Sequence, residues 1–251
     1  MAPTSVEKCY RLLSASLRSA FRSELIPVNP CHDITLPKPG PTPERYLEDD
    51  EFEALRKPLD EFDQLIVDVL IGTGMRMGEA QGLHREHIDI KRKTINIEWA
   101  SDKAAKRMKA PKDYERRVIP IGEQLAKVLA AEIKKNGLGT PAPVKYVDDG
   151  RTVRSGLLLA HTDDRPFDQD NFRDRFVAAT RVAWVGDDDD KRRLGSVRPH
   201  DLRHTYAGRL VRAHVPLQQV QELLGHASLR TTQRYAKLGD SQWDQVRQAL
   251  D

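Results

Sequence analysis

The sequence predicts a mainly helical protein with a small antiparallel β-sheet. Three observations predict it. Apolar residues recur at helical spacing in "EQLAKVLAAEIKK", "DQDNFRDRFVAATRVAW", "PHDLRHTYAGRLVRA", "PLQQVQELLG" and "LRTTQRYAKL". Alternation of apolar and polar residues is confined to two short runs, "TINIEW" and "ERRVIPI", joined by a lysine-rich stretch. No internal repeat divides the chain.

The opening segment "TSVEKCYRLLSASLRSAFRSEL" reads as one amphipathic helix. Thr4 and Glu7 fit a capping box, Tyr10, Leu13, Leu17, Ala20 and Phe21 share a face, and Lys8, Arg11, Arg18 and Arg22 lie opposite. Pro27 and Pro30 cannot continue a helix, so it should stop near "IPVNP". Prolines at 37, 39, 41 and 43 then suit a stiff linker. The expected division is residues 1–36, a linker at 37–44, and a larger domain at 45–251. A lone basic helix cannot form a domain, so it either packs on the larger unit or ends a helical domain whose upstream part is missing. In the larger domain, "DDEFEALRKPLDEFDQLIVDVLIGTGMRMGEA" predicts two helices broken at Gly72 and Gly74.

With 251 residues, 39% of them hydrophobic and 31% charged, the chain can bury one good core and a small second unit. No run approaches the roughly 18 apolar residues of a membrane span, and no short apolar block resembles a secretory signal, which makes the cytoplasm the expected compartment. Cys9 and Cys31 read as free thiols. With no carboxylate pair or His/Cys cluster at ligand spacing, no metal is expected. A net charge of +3 does not by itself imply nucleic acid. Its distribution says more. Between Lys91 and Arg117, ten basic residues (91, 92, 93, 103, 106, 107, 109, 112, 116 and 117) face four acids (98, 102, 113 and 115). Lys103, Lys106, Arg107 and Lys109 thus belong to a patch of the kind that tracks phosphates, although a solvated hairpin would carry the same charges. Acid gathers instead in "GDDDDKRRLG", an expected exposed loop.

The stretch "HDLRHTYAGRL" carries the first candidates for chemistry. On a helix His200, Arg203 and His204 line one side, while Leu202, Tyr206 and Leu210 form a stripe roughly 100–120° away. Tyr206 therefore belongs to the core. Pro199 suits a first helical turn and places His200 near an N-terminus, where anions are welcome. A His-x-x-Arg pair alone occurs by chance in many helices, but its company strengthens it. "TGMRMGE" sets Arg76 just after a glycine turn, and "LLGHASLRTTQRY" sets His226 at another turn with Tyr235 nine residues on.

With these motifs in this order, the sequence resembles the tyrosine recombinase family, the phage integrases and their relatives, over nearly all of residues 45 to 240. The resemblance implies the catalytic-domain fold of that family and a site made of Arg76, Arg203, His200, His226, Tyr235 and a hairpin lysine, with Glu79 as the supporting acid. Lys112 matches the lysine by its distance from Pro120, with Lys109 and Lys106 as alternatives because hairpin length varies. Tyr206 matches an aromatic core residue. The implied reaction is site-specific exchange of DNA strands through a covalent 3′-phosphotyrosyl link on Tyr235, without metal or high-energy cofactor. Arg76 and Arg203 would fork onto the phosphate and Lys112 would protonate the leaving 5′-oxygen. His200 would take the proton of Tyr235, and His226 would hydrogen-bond the phosphate.

The implied partners are double-stranded DNA and three further protomers. In the tail "SQWDQVRQAL", Trp243, Val246 and Leu250 form an apolar edge that either folds back on its own core or, as the resemblance implies, is lent to a neighbour. The first 36 residues resemble only the end of the family's core-binding domain, with Arg18 and Arg22 as DNA contacts. A type IB topoisomerase uses similar chemistry, though the "LGH" motif and the tail favour the recombinase. A DNA-binding relative without catalysis is the third reading, against which the complete set of reactive residues argues.

Overall fold

The computed structural model describes residues 3–37, 40, 44–111, 116–147, 150–161, 163–187 and 190–238. They fall into two units divided between Pro43 and Glu44. In the first, α1 (Pro3–Arg22) ends before either proline, through Glu24 in the left-handed region (φ 57°), and the Tyr10 hydroxyl donates to the Cys31 carbonyl at 2.6 Å. Thr4 lies within the helix, so the proposed capping box does not start it.

The second unit is built on α3 (Glu61–Thr73), whose Ile66, Val67, Val69 and Leu70 are buried. Asp60 caps its start by accepting from the Asp63 amide, and Gly74 ends it in the left-handed conformation (φ 62°). The expected break at Gly72 does not occur. That residue sits inside α3, where a Cβ would come within 2.7 Å of Leu125, so its bareness serves close packing. The chain turns instead around Pro58, between α2 (Asp49–Arg56) and α3.

After the short α4 (Met77–Gln81) come the strands. β1 (Ile88–Asp89), β2 (Thr94–Ile97) and β5 (Arg117–Pro120) form one antiparallel sheet in the order β1-β2-β5, with Ile95 opposite Ile119. β3 (Ala100–Asp102) and β4 (Arg107–Lys109) form the basic hairpin, and β6 (Lys145–Tyr146) joins β4 in parallel. That parallel pair departs from the purely antiparallel expectation.

Among the described residues the remaining helices are α5 (Glu123–Asn136), α6 (Gln169–Val182), α7 (Pro199–Arg212), α8 (Leu217–Leu224) and α9 (Leu229–Thr232). The helix expected to reach Trp184 stops at Val182. Trp184 opens β7 (Trp184–Val185), which pairs with β8 (Arg192–Arg193), so the acidic run lies in a hairpin whose Asp188 and Asp189 fall outside the described residues. A 3-10 helix, Gln233–Leu238, closes the described chain and carries Tyr235.

Two buried clusters position the site. The larger gathers α3, the β1-β2-β5 sheet and the α6 aromatics Phe172 and Phe176. The second gathers Tyr206, Ala207 and Val211 of α7, Val220 and Leu224 of α8, and Tyr235, with Tyr46 and Leu238 packed against it. Tyr206 is a core residue, as its place on the leucine stripe requires.

Candidate active site

Arg76 stands two residues after the left-handed Gly74 and forms the N-cap of α4. Its backbone amide donates to Glu79 Oε2 at 2.8 Å, and its guanidinium meets Glu79 Oε1 at 3.1 Å. A second arginine closes on the same carboxylate. Arg117, at the start of β5, forks onto Glu79 at 3.1 and 2.7 Å. Glu79 is only 2% exposed. Burial works to raise its pKa, but the Arg117 hydrogen bonds and charge, the Arg76 amide and Arg203 outweigh it and hold the carboxyl below the usual range.

Arg203, on α7 and 3% exposed, spans two carbonyls, donating to Gly74 O and to Leu224 O at 2.6 Å each. Arg117 Nε reaches Leu223 O at 2.7 Å, and Arg76 Nη2 reaches Gly225 O at 2.6 Å. Three guanidiniums thus meet three consecutive carbonyls at the C-terminus of α8. Burial, then the nearby Arg76 and Arg117, push the Arg203 pKa down to about 10.

His226 follows directly, because Gly225 (φ 62°) turns the chain there. Its Nδ1 lies 2.9 Å from the Thr232 hydroxyl. Burial, followed by the charges of Arg203 and Arg76, pushes its pKa down to about 3, so the ring is neutral among cations. His200 borders a cleft of about 350 Å³ that Met75, Met77, Arg198 and Arg203 also line. Burial, then His204 and Arg203, take its pKa down to about 4.

The Tyr235 hydroxyl lies 2.7 Å from Nδ1 of His204, and the tyrosine is 1% exposed. Burial, then Glu44, push its pKa up to about 12, while Arg203 works to lower it. The group that bonds the Tyr235 hydroxyl is His204, one turn on from the His200 expected as its proton acceptor. His200 and His204 lie one turn apart on α7 with ring centroids at 4.8 Å, and the 3-10 helix that carries Tyr235 brings its phenol to His204.

The fold therefore brings Arg76, Glu79, Arg203 and His226 together at one helix end, with His200 at the adjoining cleft and Tyr235 within electrostatic reach of Arg203. Lys112 and the tail residues Trp243, Val246 and Leu250 lie outside the described residues. Lys103, Lys106, Arg107 and Lys109 sit on or beside the β3–β4 hairpin, Lys103 paired with Asp170, and Lys109 with Asp102 at 2.9 Å. Arg18 and Arg22 are exposed on α1 in the first unit. The sequence reading missed Arg117 and the contact of His204 with the phenol. Period-two alternation could have found the arginine, because it places Arg117 on the same side of the strand as Ile119 and Ile121.

The sequence profile of the Phage integrase family matches residues 45–242. The chain belongs to that family. It is a tyrosine-type site-specific recombinase. The tyrosine recombinase XerC of Oceanobacillus iheyensis is 30% identical over 239 residues, spanning 92% of this chain and 69% of that protein. XerC of Bacillus licheniformis is 27% identical with the same coverage. Among solved structures, the Tn1549 transposon integrase in complex with transposon right end DNA superposes with a TM-score of 0.74 at 19% identity, covering 100% of this chain and 79% of that one. A lambda integrase dimer bound to a COC′ core site gives 0.63 at 18% identity, covering 90% and 73%. Both likenesses concern the fold. No helix among the recombinase's described residues is long and apolar enough to cross a membrane.

Proposed function

We propose that this recombinase binds double-stranded DNA and exchanges its strands through a 3′-phosphotyrosyl link to Tyr235. The observation that carries the reading is the convergence of Arg76, Arg203 and His226 on the C-terminus of α8, with the Tyr235 hydroxyl bonded to His204, the residue next to Arg203 on α7. A phosphodiester resists attack because charge builds on its non-bridging oxygens. Planar, permanently charged guanidiniums can take that charge in a fixed geometry, and removing one such donor costs about 3 kcal/mol of transition-state stabilisation. Glu79 orients Arg76. His226, neutral and tied through Nδ1 to Thr232, keeps its other ring nitrogen for the phosphate. His200, expected as the proton acceptor, borders the cleft beside Arg203. Lys112 supplies the proton for the departing 5′-oxygen. Covalent capture conserves the energy of the broken bond for resealing.

On this reading the β3–β4 hairpin and Arg18 and Arg22 of α1 track the DNA backbone, residues 1–36 are the end of a core-binding domain, and 37–44 link it to the catalytic unit. Four protomers assemble on two duplexes, with Trp243, Val246 and Leu250 reaching a neighbour. The test is incubation with a nicked suicide duplex, from which a cleaved strand cannot be resealed. Wild-type protein and Tyr206→Phe should form a covalent adduct and Tyr235→Phe should not; absence of the wild-type adduct would overturn the reading. Formation of Holliday junctions from intact sites separates strand exchange from simple nicking and resealing.

A further inference from the structure

Three features outside the roles assigned above compete for an explanation. The groove of about 720 Å³ near Arg85 and Lys135 mixes both signs of charge and points to no occupant. The buried His84 is satisfied by Gly82 O and the Tyr146 hydroxyl. The third is the contact between His204 and the nucleophile.

We propose that His204 is a catalytic residue of the strand-transfer reaction: it holds the Tyr235 hydroxyl and accepts its proton when the phenol attacks phosphorus. The inference rests on Tyr235 being the nucleophile. Geometry comes first. The Nδ1–hydroxyl distance of 2.7 Å is that of a formed hydrogen bond, and His204 is itself 5% exposed, so no water competes freely for the phenol. His204 is also the residue next to Arg203 on α7, so the hydroxyl's acceptor and the phosphate's clamp ride on one rigid element. Admitting a phosphate requires uncovering Tyr235, whose ring meets Tyr46 edge-on at 6.5 Å, without displacing either group on α7.

The electrostatics agree with the geometry. A phenol raised to about 12 is a poor nucleophile at neutral pH without a base beside it. Burial holds His204 below its ordinary pKa, so its ring is neutral and able to accept. The charged groups facing it are Glu44, before α2, and Asp201, on α7, both working to raise its pKa, and Arg234 of the 3-10 helix and Arg198 at the start of α7, both working to lower it. His200 adds an uncharged ring edge. The step balances. The phenol O–H breaks as a proton moves to Nδ1, the phenolate oxygen bonds to phosphorus, and the P–O5′ bond breaks as Lys112 protonates the leaving oxygen. In resealing, the 5′-hydroxyl returns its proton to Lys112, and the departing phenolate regains one from His204.

The experiment compares single-turnover adduct formation on the nicked duplex across pH 5–9 for wild type, His204→Asn and His204→Phe. Asn presents an acceptor oxygen near the Nδ1 position but cannot take a proton, so it would rescue a role that is only positional. Both variants should be slower by about 10²- to 10⁴-fold at pH 7, the usual range for a general base. In the Asn variant the rate should climb steadily with pH, where wild type levels off. His204→Asn within about threefold of wild type would overturn the proposal. A second measurement leaves His204 in place: its ¹⁵Nδ1 resonance in the DNA-free chain should move on Tyr235→Phe, and an unmoved resonance would equally overturn it. If wild type forms no adduct at all, the nucleophile assignment fails first, and the resonance still reports whether the pair exists.

Discussion

Glu79→Gln tests the electrostatic frame most directly. The carboxylate is almost fully buried, receives a two-pronged bond from Arg117, whose side chain is 8% exposed, and takes both the amide and the guanidinium of Arg76. Glutamine keeps the shape, but it turns one acceptor oxygen into an NH₂ that faces a guanidinium and leaves two cations without their counterion. Breaking a buried pair in this way typically costs 3–5 kcal/mol. Because Arg76 is partly solvated, the low end applies, and the unfolding free energy should fall by about 3 kcal/mol. In urea melts followed by far-ultraviolet circular dichroism, that is a midpoint lowered by about 1–2 M at an unchanged slope. Pairing the change with Arg117→Met removes a stranded charge, so the double variant should be more stable than the sum of the single effects predicts, by about 1 kcal/mol or more. A single-variant loss under about 0.5 kcal/mol, or strict additivity in the cycle, would refute the idea that Glu79 is the counterion of this cluster.

Gly74→Ala should cost about 2–4 kcal/mol, because it places a side chain at φ 62° and a Cβ within 2.3 Å of the Tyr206 ring; an unchanged thermal midpoint would contradict that packing. It should slow adduct formation as well, since Arg203 bonds to the carbonyl of the same residue. Acid should destabilise the fold through Glu79 and Glu51, whose carboxyls are held below the ordinary Glu range. Depressed native pKa values contribute stability above the unfolded value that is lost as pH falls, so stability should be flat above about pH 5 and fall below about pH 4.5, less steeply in Glu79→Gln. On DNA, Lys106→Ala and Arg107→Ala should each lower the slope of log affinity against log salt by about 1, measured by fluorescence anisotropy; unchanged slopes would remove the hairpin from the interface.

The residues legible in the sequence were those marked by local chemistry. Glycine turns announce Arg76 and His226, a helix-starting proline announces His200, and helical phase separates Tyr206 from Arg203. What stayed hidden depends on tertiary approach. Arg117 sits in a basic run that reads as surface charge; alternation puts it on the inward side with Ile119, but that Glu79 waits there is a tertiary fact. His204 was seen to share a face with His200 and Arg203, but which histidine meets the phenol depends on where a 3-10 helix crosses α7, and no periodicity encodes that. Gly72 looked like a break because a glycine's freedom is visible in sequence, whereas the Leu125 side chain that needs its missing Cβ is not. The two-residue β6 is too short to show a period at all.

The arrangement also explains how so many cations coexist before any DNA arrives. Of Arg76, Arg117 and Arg203, the first two bond the one buried carboxylate, Glu79, and Arg203 bonds only carbonyls, so the three guanidiniums outnumber the carboxylate by two charges. The last carbonyls of a helix have no intrahelical donor and carry the negative end of its dipole. Leu223, Leu224 and Gly225 present them in succession, one to each arginine. The end of α8 thus serves as a partial counterion that fixes the guanidiniums without neutralising them. A guanidinium has five N–H donors in a rigid fork, so it can bond two acceptors, as Arg203 does with Gly74 O and Leu224 O, and still hold N–H donors in reserve. Lysine has one point charge and would have to choose. On the proposed function, that division of labour, more than charge alone, would suit arginine to positions 76 and 203. The arrangement also strains any replacement of Gly225: at φ 62° a side chain is disfavoured, and a Cβ there would come within 2.8 Å of the Arg117 guanidinium.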